Sequence, residues 1–269
     1  MTRTVLRPAA RRAAAAVAAL LVTAGVADAA VPREVGSMRY TTKLPGTATG
    51  NVLDWTFRNP EDPHRKPHTA IRMVVHGPPG GVIDTSAPPQ CQASDAELMA
   101  LGPAACPAST RIGTGYAVSD TGGGGPFPRY SRATISNFND DHEVIGVAEL
   151  DSIPLLHPVD RTRIEGESTT TSTTDFPLFP GAPPPDPYTP FKRLHVEFPR
   201  YVRNGRAYMR TPATCPRAGY WAMTIEFTYA DGVKETVVSR SPCERAKKKP
   251  HRRHHHPRRP VLHDELDDD

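Results

Sequence analysis

Beyond residue 30 the sequence has no apolar run approaching the roughly 20 residues a bilayer-spanning helix needs, which excludes a polytopic helical membrane protein. It also lacks the usual marks of enzyme and metal sites. No Gly-x-Ser-x-Gly elbow, His-Glu-x-x-His pair or EF-hand loop occurs. The four cysteines contain no Cys-x-x-Cys knuckle and have no histidine at ligand spacing, which argues against a thiolate metal site. Aromatic residues make up only 7%. Proline is what the chain has in excess: 30 in 269 residues, about twice the usual 5%. Helix interiors do not tolerate that much proline, so long helical bundles and doubly wound α/β folds are unlikely architectures.

The first 29 residues carry the pattern of an export signal. Arg3, Arg7, Arg11 and Arg12 precede an uncharged small and apolar run from Ala13 to Val26, and Ala27-Asp28-Ala29 supplies a small-x-small cleavage site. Cleavage is expected after Ala29. The Arg11-Arg12 pair is followed by alanines rather than Phe-Leu, which favours the general secretory route over the twin-arginine route. No cysteine follows the site to take a lipid, and no hydrophobic stretch precedes Asp267-Asp268-Asp269, so the expectation is a secreted or envelope-associated protein without a membrane span after signal removal.

An even number of cysteines in an oxidising compartment reads as disulfides. Four cysteines allow three pairings. The local one, Cys91 with Cys106 and Cys215 with Cys243, is favoured because each pair flanks one compact unit. In the loop-entropy picture each closure contributes about 3 to 3.5 kcal/mol.

The formal net charge of +4 is unevenly placed. The signal carries four Arg and one Asp; residues 244–269 carry eight Lys or Arg and six acids. That leaves 21 basic and 22 acidic residues between. A near-neutral body argues against nucleic acid as a partner. Residues 244–269 combine a basic block, His254-His255-His256 and an acidic end, with few apolar groups, and are expected to be disordered. The three histidines are candidate ligands for a scavenged metal.

Between residues 30 and 243, runs of period two predict antiparallel strands with one apolar face. The longest has Trp221, Met223, Ile225, Phe227 and Tyr229 on one side, and Asp231-Gly232 after it signals a hairpin. Leu53-Trp55-Phe57, Ile71-Met73-Val75 and Leu194-Val196-Phe198 follow the same pattern, and Thr134–Phe138, Val144–Leu150 and Tyr208–Thr211 are further candidates. The expected class is all-β, an antiparallel β-sandwich or jelly-roll-like fold, built as one domain or two β halves. One short helix is predicted inside the Cys91–Cys106 loop, where Ser94-Asp95-Ala96-Glu97 has capping-box spacing and Gly102 stops the run. Two long loops stand out: Thr121–Pro128, with four glycines, and Ser168–Pro190, a Ser/Thr run passing into prolines. Such loops are binding surfaces or plain connections.

Two weak clusters carry potential chemistry. Glu149 and Asp151 lie two apart on a predicted strand, so they share a face and could form the acid pair of a retaining glycosidase, although Pro154 stands where a third acid would be needed. Asp140, Asp141, His142 and Glu143 gather oxygen and imidazole ligands for Ca or Zn, in a pattern that equally suits a polar turn.

Pro89-x-Cys91, the short helix, Ala105-Cys106-Pro107-x-x-Thr110-x-x-Gly113-x-Gly115, Cys215-Pro216-x-x-Gly219-x-Trp221, Thr228-Tyr229-x-Asp231-Gly232 and Pro242-Cys243 together resemble a group of exported actinobacterial proteins of unknown function. The similarity covers roughly residues 50–243 and concerns the framework of turns, cysteines and aromatics. The functional expectation is an exported non-catalytic protein at or beyond the cell envelope, binding polysaccharide or protein through its long loops and needing no cofactor. The alternatives are a secreted hydrolase using Glu149 and Asp151, and a metal scavenger using the histidine tail.

Overall fold

A computed structural model describes residues 31–123, 128–166, 170–178 and 188–245. The export-signal residues and His254, His255 and His256 lie outside the described residues. The described residues from Pro32 to Arg245 belong to one compact unit.

Sixteen strands follow in order: β1 (Glu34–Tyr40), β2 (Ala48–Thr49), β3 (Asn51–Phe57), β4 (Ala70–His76), β5 (Val82–Ile83), β6 (Arg111–Asp120), β7 (Tyr130–Asp140) and β8 (Glu143–Leu150). Then come β9 (Val159–Glu165), β10 (Thr171–Asp175), β11 (Phe191–Phe198), β12 (Val202–Arg203), β13 (Arg206–Ala207), β14 (Met209–Arg210), β15 (Tyr220–Tyr229) and β16 (Lys234–Pro242). The helix α1 (Asp95–Leu101) falls between β5 and β6. Eleven strands form one antiparallel sheet in the order β1-β3-β11-β6-β7-β8-β9-β10-β4-β15-β16, which curls nearly into a barrel. The all-β antiparallel class is as the sequence implies. A single rolled sheet refines the sandwich or jelly-roll expectation.

Strand number dictates how the roll closes. Ten successive antiparallel pairings leave β16 pointing the same way as β1, so the closing pair is parallel. Side chains join it. Ser239 Oγ accepts from Met38 N–H at 2.9 Å and donates to Met38 C=O at 2.7 Å, and Ser241 Oγ accepts from Tyr40 N–H at 3.0 Å. Farther along the seam, Glu235 accepts from Arg33 N–H at 2.9 Å. Both serines are buried, so these hydroxyls satisfy backbone groups that water cannot reach.

The period-two runs place their apolar residues inward. Trp221, Met223, Ile225, Phe227 and Tyr229 of β15 are all buried, as are Leu53, Trp55 and Phe57 of β3. Trp55 and Phe57 meet Phe227 edge-on, with ring centroids 5.1 and 5.7 Å apart, a favoured aromatic geometry. Outside the barrel, the loop closed by Cys91–Cys106 lays α1 across β7 and β8, burying Leu98 against Phe138, Ile145 and Val147. The capping box at Ser94 and Glu97 is formed. Cys215–Cys243 ties the approach to β15 to the end of β16. Both bridges have the local pairing favoured from the sequence.

One expectation is corrected. The run from Ser168 was read as a loop to Pro190, yet Thr171–Asp175 forms β10, hydrogen-bonded between β9 and β4. β-Branched threonines suit a pleated strand, and Ser172 and Thr174 face inward although neither is apolar.

Removing a seam hydroxyl leaves a buried N–H unpaired, which costs about 1–3 kcal/mol. Ser239→Ala and Ser241→Ala are each expected to lower the urea midpoint by that measure and to speed amide exchange at Met38 and Tyr40. Unchanged exchange at both amides would show that the seam does not close the sheet.

Candidate functional site

The interior is filled on one arc and hollow on the other. Across β3, β4 and β15 the inward side chains are Trp, Phe, Met, Ile and Val, packed as one core. From β6 round to β10 they are mostly small: Ala117, Ser119, Ser131, Ala133, Ala148, Ser172. Small inward residues leave a cavity of about 400 Å³, within the usual range for sites that enclose a small molecule. Its apolar wall includes Leu53, Met73, Ile135, Val144, Leu194 and Val196.

The two ends of the roll differ. At one end the short sheet β2-β14-β5 supplies Ile83 and Met209, which with Tyr208 pack on Ile112, Val144 and Ile164 as a floor. At the other end emerge the β6–β7, β8–β9 and β10–β11 connections, which bring Thr121, Ser152, Ile153, Leu156, Pro177 and Thr189 to the cavity. Leu156 lines the cavity and is also exposed, so this end is the mouth. Leu155 and Leu178 stand exposed on the same connections.

Among the described residues one charged group lines the cavity, Asp160 of β9. The register places Asn137, Gly146 and Asp160 side by side across β7, β8 and β9, all inward. Gly146 makes room for the carboxylate: a Cβ there would lie 2.3 Å from Asp160 Oδ1. A glycine within a strand often marks such a close approach. No ion pair or side-chain hydrogen bond to the Asp160 carboxylate forms among the described residues, and burial pushes its pKa up to about 6. Across Gly146, on β7, Asn137 is buried, and its Nδ2 has no acceptor among the described residues. Tyr208 Oη at the floor is likewise unpartnered.

Four of the lining hydroxyls are tied in pairs. Ser131 and Ser152 share a hydroxyl contact of 2.9 Å, and Thr162 and Thr174 one of 2.7 Å. At the mouth end of the seam, Glu34 accepts a hydrogen bond from Tyr229 Oη. Burial pushes Glu34 up to about 7, against the pull of that hydrogen bond.

The residues singled out from sequence lie elsewhere. Glu149 is exposed on the outer face of β8, opposite Thr134, while Asp151 falls in the turn after the strand, its N–H bonded to Arg132 C=O. The structure therefore does not set the pair along one strand, and neither lines the cavity. Asp140, Asp141, His142 and Glu143 form the β7–β8 turn, where His142 has a φ of 54°. Arg161 already faces two of these acids, Glu143 at 3.0 Å and Asp140 at 3.6 Å. Among the described residues no group of three or more His, Cys, Asp or Glu could hold a metal ion. His195 and Glu197 are paired at 3.2 Å on the outer face of β11, with Asp54 on the other ring nitrogen at 3.3 Å.

The cavity and Asp160 escaped the sequence reading. The available signal was Gly146 in the apolar run Val144–Val147, together with the lone acid in Val159-Asp160-Arg161-Thr162. Comparison of the chain with protein families, curated proteins and solved structures finds no match.

Asp160 and Glu34 both hold protons in the folded state that the unfolded chain releases. Their folded pKa values lie above the ordinary 3.8 and 4.5, so stability falls as pH rises from about 4 to above 7. Asp84 and Asp231 act oppositely but below that window. They are held under the ordinary range despite partial burial, by Ser86 and Arg206 at Asp84 and by the Val233 N–H and Arg33 at Asp231. The thermal midpoint is expected to decline from pH 5 to pH 8, and Asp160→Asn to flatten the slope. Differential scanning calorimetry across that range checks it; an equal slope in the variant would show that the carboxyl is not buried in solution.

Proposed function

We propose that this is an exported, non-catalytic binding protein that encloses a small hydrophobic molecule in its barrel. The supporting observation is the cavity of about 400 Å³ with a largely apolar wall, a floor and a mouth. Apolar surface moved from water into such a space gains about 0.8 kcal/mol per methylene. Volumes of this size suit a single chain or ring system rather than a polymer. Of the two long loops, the described residues Thr121, Pro177 and Thr189 lie at the mouth of the cavity.

Export after cleavage at Ala29 fits this reading, since a carrier for a poorly soluble molecule is useful where the molecule must cross water. The two disulfides and the lack of any helix long and apolar enough to cross a membrane among the described residues are compatible with an extracellular protein. The outer face carries charged residues such as Arg72, Asp175, Arg193 and Glu197. A membrane-spanning barrel presents an apolar band there instead. The resemblance to exported actinobacterial proteins is part of the same proposal.

A neutral dye that brightens in apolar surroundings, N-phenyl-1-naphthylamine, is expected to bind the mature protein at one site with micromolar affinity. Ala148→Phe, which fills the hollow arc, should weaken the dye at least tenfold while the thermal midpoint stays within a few degrees. Absence of saturable binding, or undiminished binding in Ala148→Phe, would refute the enclosed site.

A further inference from the structure

We propose that the enclosed molecule is a cationic amphiphile, an apolar body carrying a protonated amine, and that Asp160 is the group that selects it. This rests on the reading of the barrel as a hydrophobic binding site and names the class of ligand.

The inward-facing row Asn137–Gly146–Asp160 carries the argument. Among the described residues lining the cavity Asp160 is the one charged group, and none of them is a lysine, arginine or histidine. A fatty acid would therefore bring a second carboxylate into an apolar space with no cation to receive it. A protonated amine meets the opposite situation. Forming a buried ion pair is usually costly because both partners lose water. Here the protein's partner is already inside the cavity and unpaired, so that part of the cost is spent in folding, before any ligand arrives. The gain on binding is then larger for an ammonium than for an equally apolar neutral molecule.

Gly146 shows that the carboxylate's position depends on its neighbour. Any side chain there would meet Asp160 Oδ1 at 2.3 Å and Oδ2 at 2.9 Å. On the other side of Gly146, Asn137, only 6% exposed, leaves its Nδ2 without an acceptor among the described residues. The row thus presents an acceptor for the amine and, across the glycine, a donor, in a cavity whose wall is largely apolar.

Three chain-matched competitors test this on the mature protein by displacement of N-phenyl-1-naphthylamine: decylamine, decanol and decanoate. At pH 8 decylamine should bind at least tenfold tighter than decanol, and decanoate at least tenfold weaker. In Asp160→Asn the amine and the alcohol should come within threefold of each other, and decanoate should gain. Lowering the pH from 8 to 5 should weaken decylamine in the wild type, because the carboxylate becomes protonated, and leave decanol unchanged. Gly146→Ala, which keeps the charge but displaces it, should reduce the amine preference without loss of dye binding. If decanol displaces the dye but decylamine binds no tighter, or if Asp160→Asn keeps the preference, the charge selection is overturned while the hydrophobic site stands. If neither dye nor decanol binds, both readings fall.

Discussion

Closing an odd number of antiparallel strands forces one parallel contact, and the barrel depends on how that contact is made. Without it β1 and β16 would be free edges, offering unpaired backbone groups to any passing strand. Ser239 and Ser241 stand where backbone carbonyls and amides would otherwise have to come into register. A serine hydroxyl both donates and accepts, so Ser239 alone satisfies the N–H and the C=O of Met38. The resulting wall separates inside from outside. Only then can small inward side chains enclose a space instead of exposing it.

The distribution of side-chain volume around the wall decides where that space lies. Trp55, Phe57, Met223, Ile225 and Phe227 fill one arc and provide most of the apolar burial. The opposite arc contributes little packing of its own, since serine, alanine and threonine bury little apolar surface. It is reinforced from outside instead. The helix held by Cys91–Cys106 covers β7 and β8, and Asn139 donates to the carbonyls of Thr85, Pro88 and Pro89, fixing the segment that leads to Cys91. The bridge therefore stabilises the hollow side in particular. A cavity forfeits dispersion contacts, and a covalently pinned outer layer is one way to offset that loss.

How much of this was legible depended on which side chains carried each element. β15 could be read because Trp221 to Tyr229 alternate large apolar with polar residues, and β3, β4 and β11 for the same reason. The capped helix and the two local bridges could be read from spacing. β10 could not. Its inward residues are Ser172 and Thr174, so the hydrophobic alternation is absent even though the strand sits between two others. β9 failed similarly, with Asp160 and Thr162 inward and Arg161 and Arg163 outward. β9 and β10 thus look largely polar on both faces, which from sequence resembles a solvated loop. Glu149 and Asp151 attracted attention as an acid pair, but β8 ends between them, at Leu150.

The partners of the other carboxylates make Asp160 informative. Asp54 has Arg193, Asp84 has Arg206, Asp175 has Arg72, and Glu143 has Arg161. Even Asp120, whose side chain is wholly buried, is met by Arg129 at 3.3 Å. Each of these acids has a cation within reach, including one removed from solvent, whereas the buried Glu34 is held by the Tyr229 hydroxyl. Asp160 has none among the described residues, its cross-strand neighbour on β8 is Gly146, and the next residue along the row is the amide Asn137. A half-buried position facing an apolar space would be more stable as leucine or valine, because an acid there without a partner is costly. The fold tolerates that cost at the one position where the carboxylate opens onto an enclosed space. There a partner can arrive from outside, and the deficit left by folding becomes the driving force for recognising a positive charge.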